Sequence, residues 1–338
     1  MQDFMSKHIP SLSERFLAPA GWRTHDFTNP DTGRKLHYGS VTPAEAPPRA
    51  VVVCLGGLSE FAEKYYEVAH DMLDRGYAFW FMDWHYQGHS GRLEKFPQRR
   101  HSDGFAKDIS DFDRFICDYV RPSAVHPQQG RIPMIMLGHS MGGNIGLQYL
   151  SRFSGIFDAA AFSAPFLGIH DFKWPMRVLA AAVKTVLPLV GKNYVFGGRD
   201  WHETMRKSDG TDIFSSHPVR DSLHNAWSKA DPTLQVGNVT FGWVIEALTS
   251  CAQLNGTDAA RRIDIPVLIA MGGKEKIVDN DCIAAFGKNL SRGTLIEIPD
   301  AHHEIMMESD ACRNMFFNAF DKMIEENKIA LTHTPEPV

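Results

Sequence analysis

Apolar residues in this chain fall into two patterns that take turns: unbroken runs of six or seven, and runs in which they recur every three or four positions. The first suits buried strands and the second amphipathic helices. THDFTN (24–29) and KLHYGSV (35–41) flank the turn residues Pro30, Asp31, Thr32 and Gly33, which predicts a hairpin. A proline-rich link, TPAEAPPR, leads to AVVVCL, a buried strand over Ala50–Leu55. A helix is predicted over Lys64–Arg75, a strand over Tyr77–Asp83, and a helix over Phe105–Val120, where Phe105, Ile109, Phe112, Ile116 and Tyr119 share one face. Further strand patterns occupy Phe157–Pro165, Pro266–Gly272 and Thr294–Pro299, with helices beginning near Asn280 and running from about Cys312 to Glu326. Such alternation implies an α/β fold, a mostly parallel sheet with helices on both faces.

Between Phe166 and about Ala260 the alternation stops, and the composition turns to Trp, Met, Phe, Gly and His. Residues 1–165 and 261–338 are therefore expected to form the core, and 166–260 an inserted helical cap. WPMRVLAAAVKTVLPLV (174–190) places Met176, Leu179, Ala180, Val183, Val186, Leu187 and Val190 at helical spacing, with Arg177 and Lys184 opposite. Two readings stay open for it: a helix packed on the core, or an acyl-chain channel or lid that rests transiently on a membrane surface. NVTFGWVIEALTS (238–250) is expected to pack beside it. Trp174, Trp201, Trp227 and Trp243 all fall in this region, a density that suits a core or the wall of an apolar pocket.

One junction carries chemistry. In PMIMLGHSMGGNIGLQYL (133–150) a buried strand pattern meets a helical one at Ser140, between Gly138 and Gly142. A strand that turns directly into a helix cramps the turning residue, so its neighbours must be small. The hydroxyl then projects from the sheet edge, and the following amide lies at a helix N-terminus, where negative charge is stabilised. A serine needs a base to become a nucleophile, and the base needs a group to hold it. Candidate bases are His302 and His303, in the loop after TLIEIP. Candidate acids are Glu275, in the loop after PVLIAM, and Asp279, which suits the cap of the helix near Asn280 better. Each follows a predicted parallel strand, where open α/β sheets gather reactive groups.

These segments resemble the α/β-hydrolases, and among them the monoacylglycerol lipase and bacterial lysophospholipase group. GHSMGG (138–143) matches that group's nucleophile elbow letter for letter. GGLSEFAEKY (56–65) is similar to its oxyanion loop H-G-x-x-E followed by a tyrosine, and DWHYQGHS (83–90) to D-x-R-G-x-G-x-S. GGKEKIVD is similar to G-x-x-D-x-x-V, and DAHHE to G-A-x-H-E. The resemblance implies Ser140 as nucleophile, His303 as base, and the backbone amides of Leu58 and Met141 as oxyanion donors. It places Glu275 where the family usually has aspartate. Gly56 stands where the family's loop has histidine, so the loop here must be braced differently. His85 and Tyr86 replace the arginine and glycine of the third motif. What the resemblance implies is an α/β-hydrolase fold and a serine carboxylic-ester hydrolase acting on single-chain esters such as monoacylglycerols or lysophospholipids. A peptidase or acyltransferase on the same fold, or a silent binding protein, stays open beside it.

Composition agrees with this and excludes little else. The 338 residues are 43% hydrophobic and 22% charged, which suits a globular protein with a large core. A net charge of -5 leaves no basic face for nucleic acid. The five cysteines show neither C-x-x-C spacing nor a disulfide framework, and H-E-x-x-H is absent although there are 16 histidines. No metal and no cofactor is called for. The first residues lack an apolar signal core, so a cytoplasmic location is expected.

Overall fold

In the computed structural model, described for residues 10–171, 190–256 and 258–331, the alternation becomes one eight-stranded sheet. The hairpin supplies β1 (Arg23–Thr28) and β2 (Lys35–Val41). β3 (Ala50–Leu55), β4 (Tyr77–Asp83), β5 (Met134–His139), β6 (Ala159–Ser163), β7 (Val267–Gly272) and β8 (Gly293–Ile298) follow. Their order is β1-β2-β4-β3-β5-β6-β7-β8. β2 runs antiparallel to both neighbours, β1 and β4, and the strands from β4 onward in this order are parallel to one another. Leu55 pairs with Gly138, and Gly138 with Phe162, so the central strands finish at a common edge.

Among the described residues the α-helices of eight residues or more are α1 (Tyr66–Asp74), α2 (Phe105–Phe115), α3 (Ser140–Leu150), α4 (Pro218–Ala230), α5 (Phe241–Gly256), α6 (Asn280–Gly287) and α7 (Asp310–Glu326). β3 explains why both faces are covered. Val51, Val53 and Leu55 join a cluster with Phe112 and Phe115 of α2 and Ile145 of α3. Val52 and Cys54, pointing the other way, join Val68 and Met72 of α1 and Phe316 and Phe320 of α7. A strand buried on both faces reads as a continuous apolar run because successive side chains alternate between two cores. Each fully buried side chain of this kind contributes roughly 1.5–3 kcal/mol.

Two elements depart from the hydrophobic pattern. The helix expected over 105–120 stays regular only to Phe115, then widens into a π-helical turn over Ile116–Val120, with Tyr119 set 4.9 Å from the Phe27 ring and 5.2 Å from that of Tyr38. The pattern gives no sign of α4, because its buried face is largely polar: Arg220, Asp221, His224 and Asn225 are all buried there. Arg220 replaces apolar packing with a bidentate pair, donating to Glu67 of α1 at 2.7 and 2.8 Å.

Among the described residues, 166–260 add no strand to the sheet. α5 packs on α3, where Gln148 donates to Ser250 and Ser250 to Asn144. Most of the 174–190 segment, including Trp174, Arg177 and Lys184, lies outside the described residues. No helix among those described is long and apolar enough to cross a membrane.

Replacing Arg220 by Met should strip Glu67 of its bidentate partner at a cost of about 2 kcal/mol, the scale of hydrogen bonds to charged groups. Urea unfolding followed by tryptophan fluorescence measures this, and an unchanged midpoint would mean that α4 is held by something else.

Candidate active site

β5 ends at His139 and α3 begins at Ser140, with no residue between them. Ser140 takes up the turn in the left-handed region, at φ 49°. For a non-glycine residue that costs about 1–3 kcal/mol, so the surroundings must impose it. They do so by close approach: a Cβ on Gly142 would lie 2.3 Å from the Leu55 carbonyl oxygen and 2.6 Å from that of Gly56. One on Gly143 would lie 2.8 Å from Pro165. Only glycine lets the first turn of α3 press against the end of β3.

The loops after β7 and β8 bring two further groups to this turn. His303 Nε2 is 2.9 Å from Ser140 Oγ, and His303 Nδ1 is 2.8 Å from Glu275 Oε2. The other oxygen of Glu275 accepts the backbone N–H groups of Lys276, Ile277 and Val278 at 2.9, 2.7 and 3.2 Å. Burial works to raise this carboxyl's pKa; His303 and the amides more than offset it, so the pKa lies below the usual glutamate value. With Nδ1–H given to that carboxylate, Nε2 is the free acceptor for the serine proton. The extra methylene of Glu275 is absorbed by folding the side chain back over its own loop.

The neighbouring candidates are engaged elsewhere. Asp279 caps α6, accepting from the amides of Asp281 and Cys282 at 2.8 and 3.2 Å. His302 pairs with Glu308 at 3.0 Å. His139 lies 3.0 Å from the Ser163 carbonyl oxygen through Nδ1, and burial pushes its pKa down to about 4.

Leu58 and Met141 face the same cavity as Ser140. The amide of Met141 belongs to the first turn of α3, where helix N–H groups have no intrahelical partner. In place of the histidine absent at position 56, the loop is braced by the third motif. Trp84 Nε1 donates to the Gly56 carbonyl at 2.9 Å. Gln87 donates to the carbonyls of Gly57 and Glu60 at 2.9 and 2.7 Å and accepts from the Ser59 amide at 3.0 Å. Asp83 accepts from the Ala62 amide.

Beneath the loop lies a buried alternation of charge. Lys64 Nζ is 2.7 Å from Glu60 Oε1 and 2.7 Å from Glu304 Oε2, and Arg206 donates to Glu304 Oε1 at 2.6 Å. Glu60 also accepts from Tyr65 at 2.5 Å and from the Gly57 amide. Burial works to raise the Glu304 pKa, but Arg206 and Lys64 hold it well below the ordinary 4.5. Glu60 shows in the sequence as the glutamate of the loop similar to H-G-x-x-E, and Lys64 only as its i,i+4 neighbour. Nothing there marks Arg206 as their neighbour.

The cavity holds about 330 Å³. Phe166, Val236, Val239, Trp243 and Ile277 form its apolar lining, while Arg206, His224 and Asn225 add polar groups. Trp201 also lines it, and Trp227 instead packs with Phe61, Tyr66 and Leu234.

Fold and site together define an α/β-hydrolase, a serine hydrolase of the esterase type. Residues 46–310 match the family Hydrolase_4, described as "Serine aminopeptidase, S33", and the chain belongs to it. It is 29% identical over 292 residues to lysophospholipase L2 of Escherichia coli K12, covering 82% of this chain and 80% of that protein. It is 29% identical over 246 residues to a monoacylglycerol lipase of Mycolicibacterium smegmatis, covering 73% and 77% of the two chains. A soluble variant of the Saccharomyces cerevisiae monoglyceride lipase, solved with a substrate analogue, superposes with a TM-score of 0.66 at 19% identity over 92% of this chain and 96% of that one. The last likeness concerns the fold.

Two outcomes follow from the charges. A carboxyl whose folded pKa is depressed stabilises the fold above its unfolded pKa and loses that contribution as pH falls. Glu304→Gln should therefore flatten the stability profile below about pH 4.5, by up to about 1.4 kcal/mol per pH unit. Urea titrations from pH 6 to 3 read this directly, and an unaltered slope would contradict it. Asp279→Ala should cost about 0.5–2 kcal/mol as a lost helix cap and leave ester turnover per folded molecule unchanged.

Proposed function

We propose that the protein hydrolyses carboxylic esters carrying one acyl chain and a polar headgroup, with monoacylglycerols and lysophospholipids as the substrate class. The observation that carries this reading is the wall of the Ser140 cavity. Its apolar residues suit a hydrocarbon chain. In the same wall Arg206 Nη1, His224 Nδ1, Asn225 Oδ1 and Trp243 Nε1 are buried with no hydrogen-bond partner among the described residues. Buried polar atoms left unpaired cost about 1–3 kcal/mol each, so a headgroup whose oxygens accept from Arg206 and Trp243 and whose hydroxyl donates to Asn225 Oδ1 would relieve them. A volume of about 330 Å³ stands at the small end of ligand sites, roughly 300–1,000 Å³, and favours one chain over two. The names of the curated relatives point to the same class.

In this reading Ser140 Oγ attacks the ester carbonyl as His303 Nε2 removes its proton. Glu275 holds the imidazole in the tautomer that can accept and stabilises its charge once protonated. The amides of Leu58 and Met141 receive the oxyanion, His303 returns the proton to the leaving alcohol, and water then cleaves the acyl-enzyme. Residues 166–260 act as the cap that closes the acyl site over the core.

The test is a panel of p-nitrophenyl esters of rising chain length, monoacylglycerol, lysophosphatidylcholine, diacylglycerol and an amino-acid p-nitroanilide. Single-chain esters should turn over, with the diacyl lipid and the anilide at least about tenfold slower. Ser140→Ala and His303→Ala should each lower kcat by about a thousandfold or more, and Glu275→Gln by at least about a hundredfold. A fluorophosphonate should label the wild type and spare Ser140→Ala. Failure to label, or hydrolysis that survives the loss of Ser140, would remove the reading.

A further inference from the structure

Arg100 is 1% exposed, and its side chain hydrogen-bonds to neither Ser140 nor His303. Its side chain is spent on three acceptors. Nε donates to Gln87 Oε1 at 2.8 Å, Nη1 donates to the His101 carbonyl, and Nη2 lies 3.3 Å from Met141 Sδ. Among the described residues no carboxylate forms an ion pair with it. Asp108, the acid that acts on it most, gives its carboxylate to Arg34 at 2.9 Å. Burial lowers the guanidinium's pKa to about 10, so it is still charged at neutral pH. A buried cation without a counter-ion is costly, and a thioether is a poor acceptor for a guanidinium N–H.

Two of these partners, Gln87 and Met141, carry the walls of the oxyanion site. Gln87 is fully buried, and its amide orientation follows from donor and acceptor logic. Its oxygen takes Arg100 Nε and the Ser59 amide, and its nitrogen gives to the carbonyls of Gly57 and Glu60, on either side of Leu58. Met141 supplies the second oxyanion amide. The backbone of Arg100 pairs with a third element, accepting from the Thr240 amide at 2.9 Å and donating to the Asn238 carbonyl at 3.3 Å. Asn238 and Val239 line the cavity.

We propose that Arg100 is a positioning residue for the oxyanion hole, a fixed positive charge that sets the Leu58 loop against the start of α3 and couples both to the 238–240 segment. The inference rests on the hydrolase reading given above. Arg100 acts through Gln87 and Met141, at a stage when negative charge gathers between the amides of Leu58 and Met141. Its charge favours that state over the neutral ester, so its loss should appear in kcat and leave KM nearly unmoved.

The experiment compares Arg100→Met, Arg100→Lys, Gln87→Leu and the Arg100→Met/Gln87→Leu double variant on a p-nitrophenyl ester, with active sites counted by fluorophosphonate titration. Arg100→Met should lower kcat per titrated site about 10- to 100-fold with KM within about threefold. Its affinity for an arylboronic acid, a mimic of the tetrahedral state, should fall by a similar factor. Arg100→Lys, which keeps the charge, should recover much of the loss. Gln87→Leu should resemble Arg100→Met, and the double variant should be no worse than the weaker single one, because the two act in series. A kcat within twofold of wild type in Arg100→Met, an unchanged boronate affinity, or losses that track only the titratable fraction would overturn the proposal. Should Arg100→Met fail to fold, Arg100→Lys and Gln87→Leu decide it, and wild-type kcat in Gln87→Leu refutes it. Ser140→Ala separates the two ideas: a dead Ser140→Ala beside an unaffected Arg100→Met discards the role of Arg100 alone.

Discussion

The structure turns on one close approach, the first turn of α3 against the ends of β3 and the oxyanion loop at Gly142. A Cβ there would fall 2.3 Å from a backbone carbonyl oxygen, and backbone in a sheet cannot withdraw. Because that contact is made by bare backbone, α3 can begin directly at the end of β5, and Ser140 is held at a φ of 49° that it would not choose alone. The same contact sets the Met141 amide beside the loop that carries Leu58. The Ser140 hydroxyl and the Met141 amide therefore belong to adjacent residues of a single rigid turn.

A second constraint is electrostatic. Glu60, Lys64, Glu304 and Arg206 form an alternating row of two acids and two bases, all buried, below the oxyanion loop. Each carboxylate has a cation, so none is a lone buried charge, the arrangement that costs most. The row also links distant parts of the chain, because Arg206 lies between β6 and β7 and Glu304 directly follows His303. Arg220 repeats the device on another face by pairing with Glu67. Arg206 and Arg220 thus tie the chain between β6 and β7 to the sheet by specific ion pairs, which fix their placement more narrowly than apolar contact would.

In the proposed triad, Glu275 is a longer acid at a position where the resembling family usually has aspartate. Its side chain turns back so that one oxygen takes three amides of its own loop and the other faces His303. The amides hold the carboxylate ionised and fix its direction, which matters more than its reach. Asp279 instead caps α6, its oxygen accepting from the amides of Asp281 and Cys282.

The sequence by itself determined the sheet and its edge. β3, β5 and β7 were legible because a strand buried on both faces must be apolar at every position, and Ser140 because only glycines tolerate a strand that becomes a helix without a loop. α4 was not legible, since hydrophobic periodicity cannot register a helix whose buried face carries Arg220, Asp221, His224 and Asn225. Nor could the chain announce that Gln87 and Trp84 brace the loop in place of a histidine, or that Lys64 stands between Glu60 and Glu304. Local pattern records which face of an element meets a core, a property of neighbours in sequence. Which charge meets which, and which amide faces the serine, depends on distances between residues up to 240 apart, and only packing of the whole chain sets those.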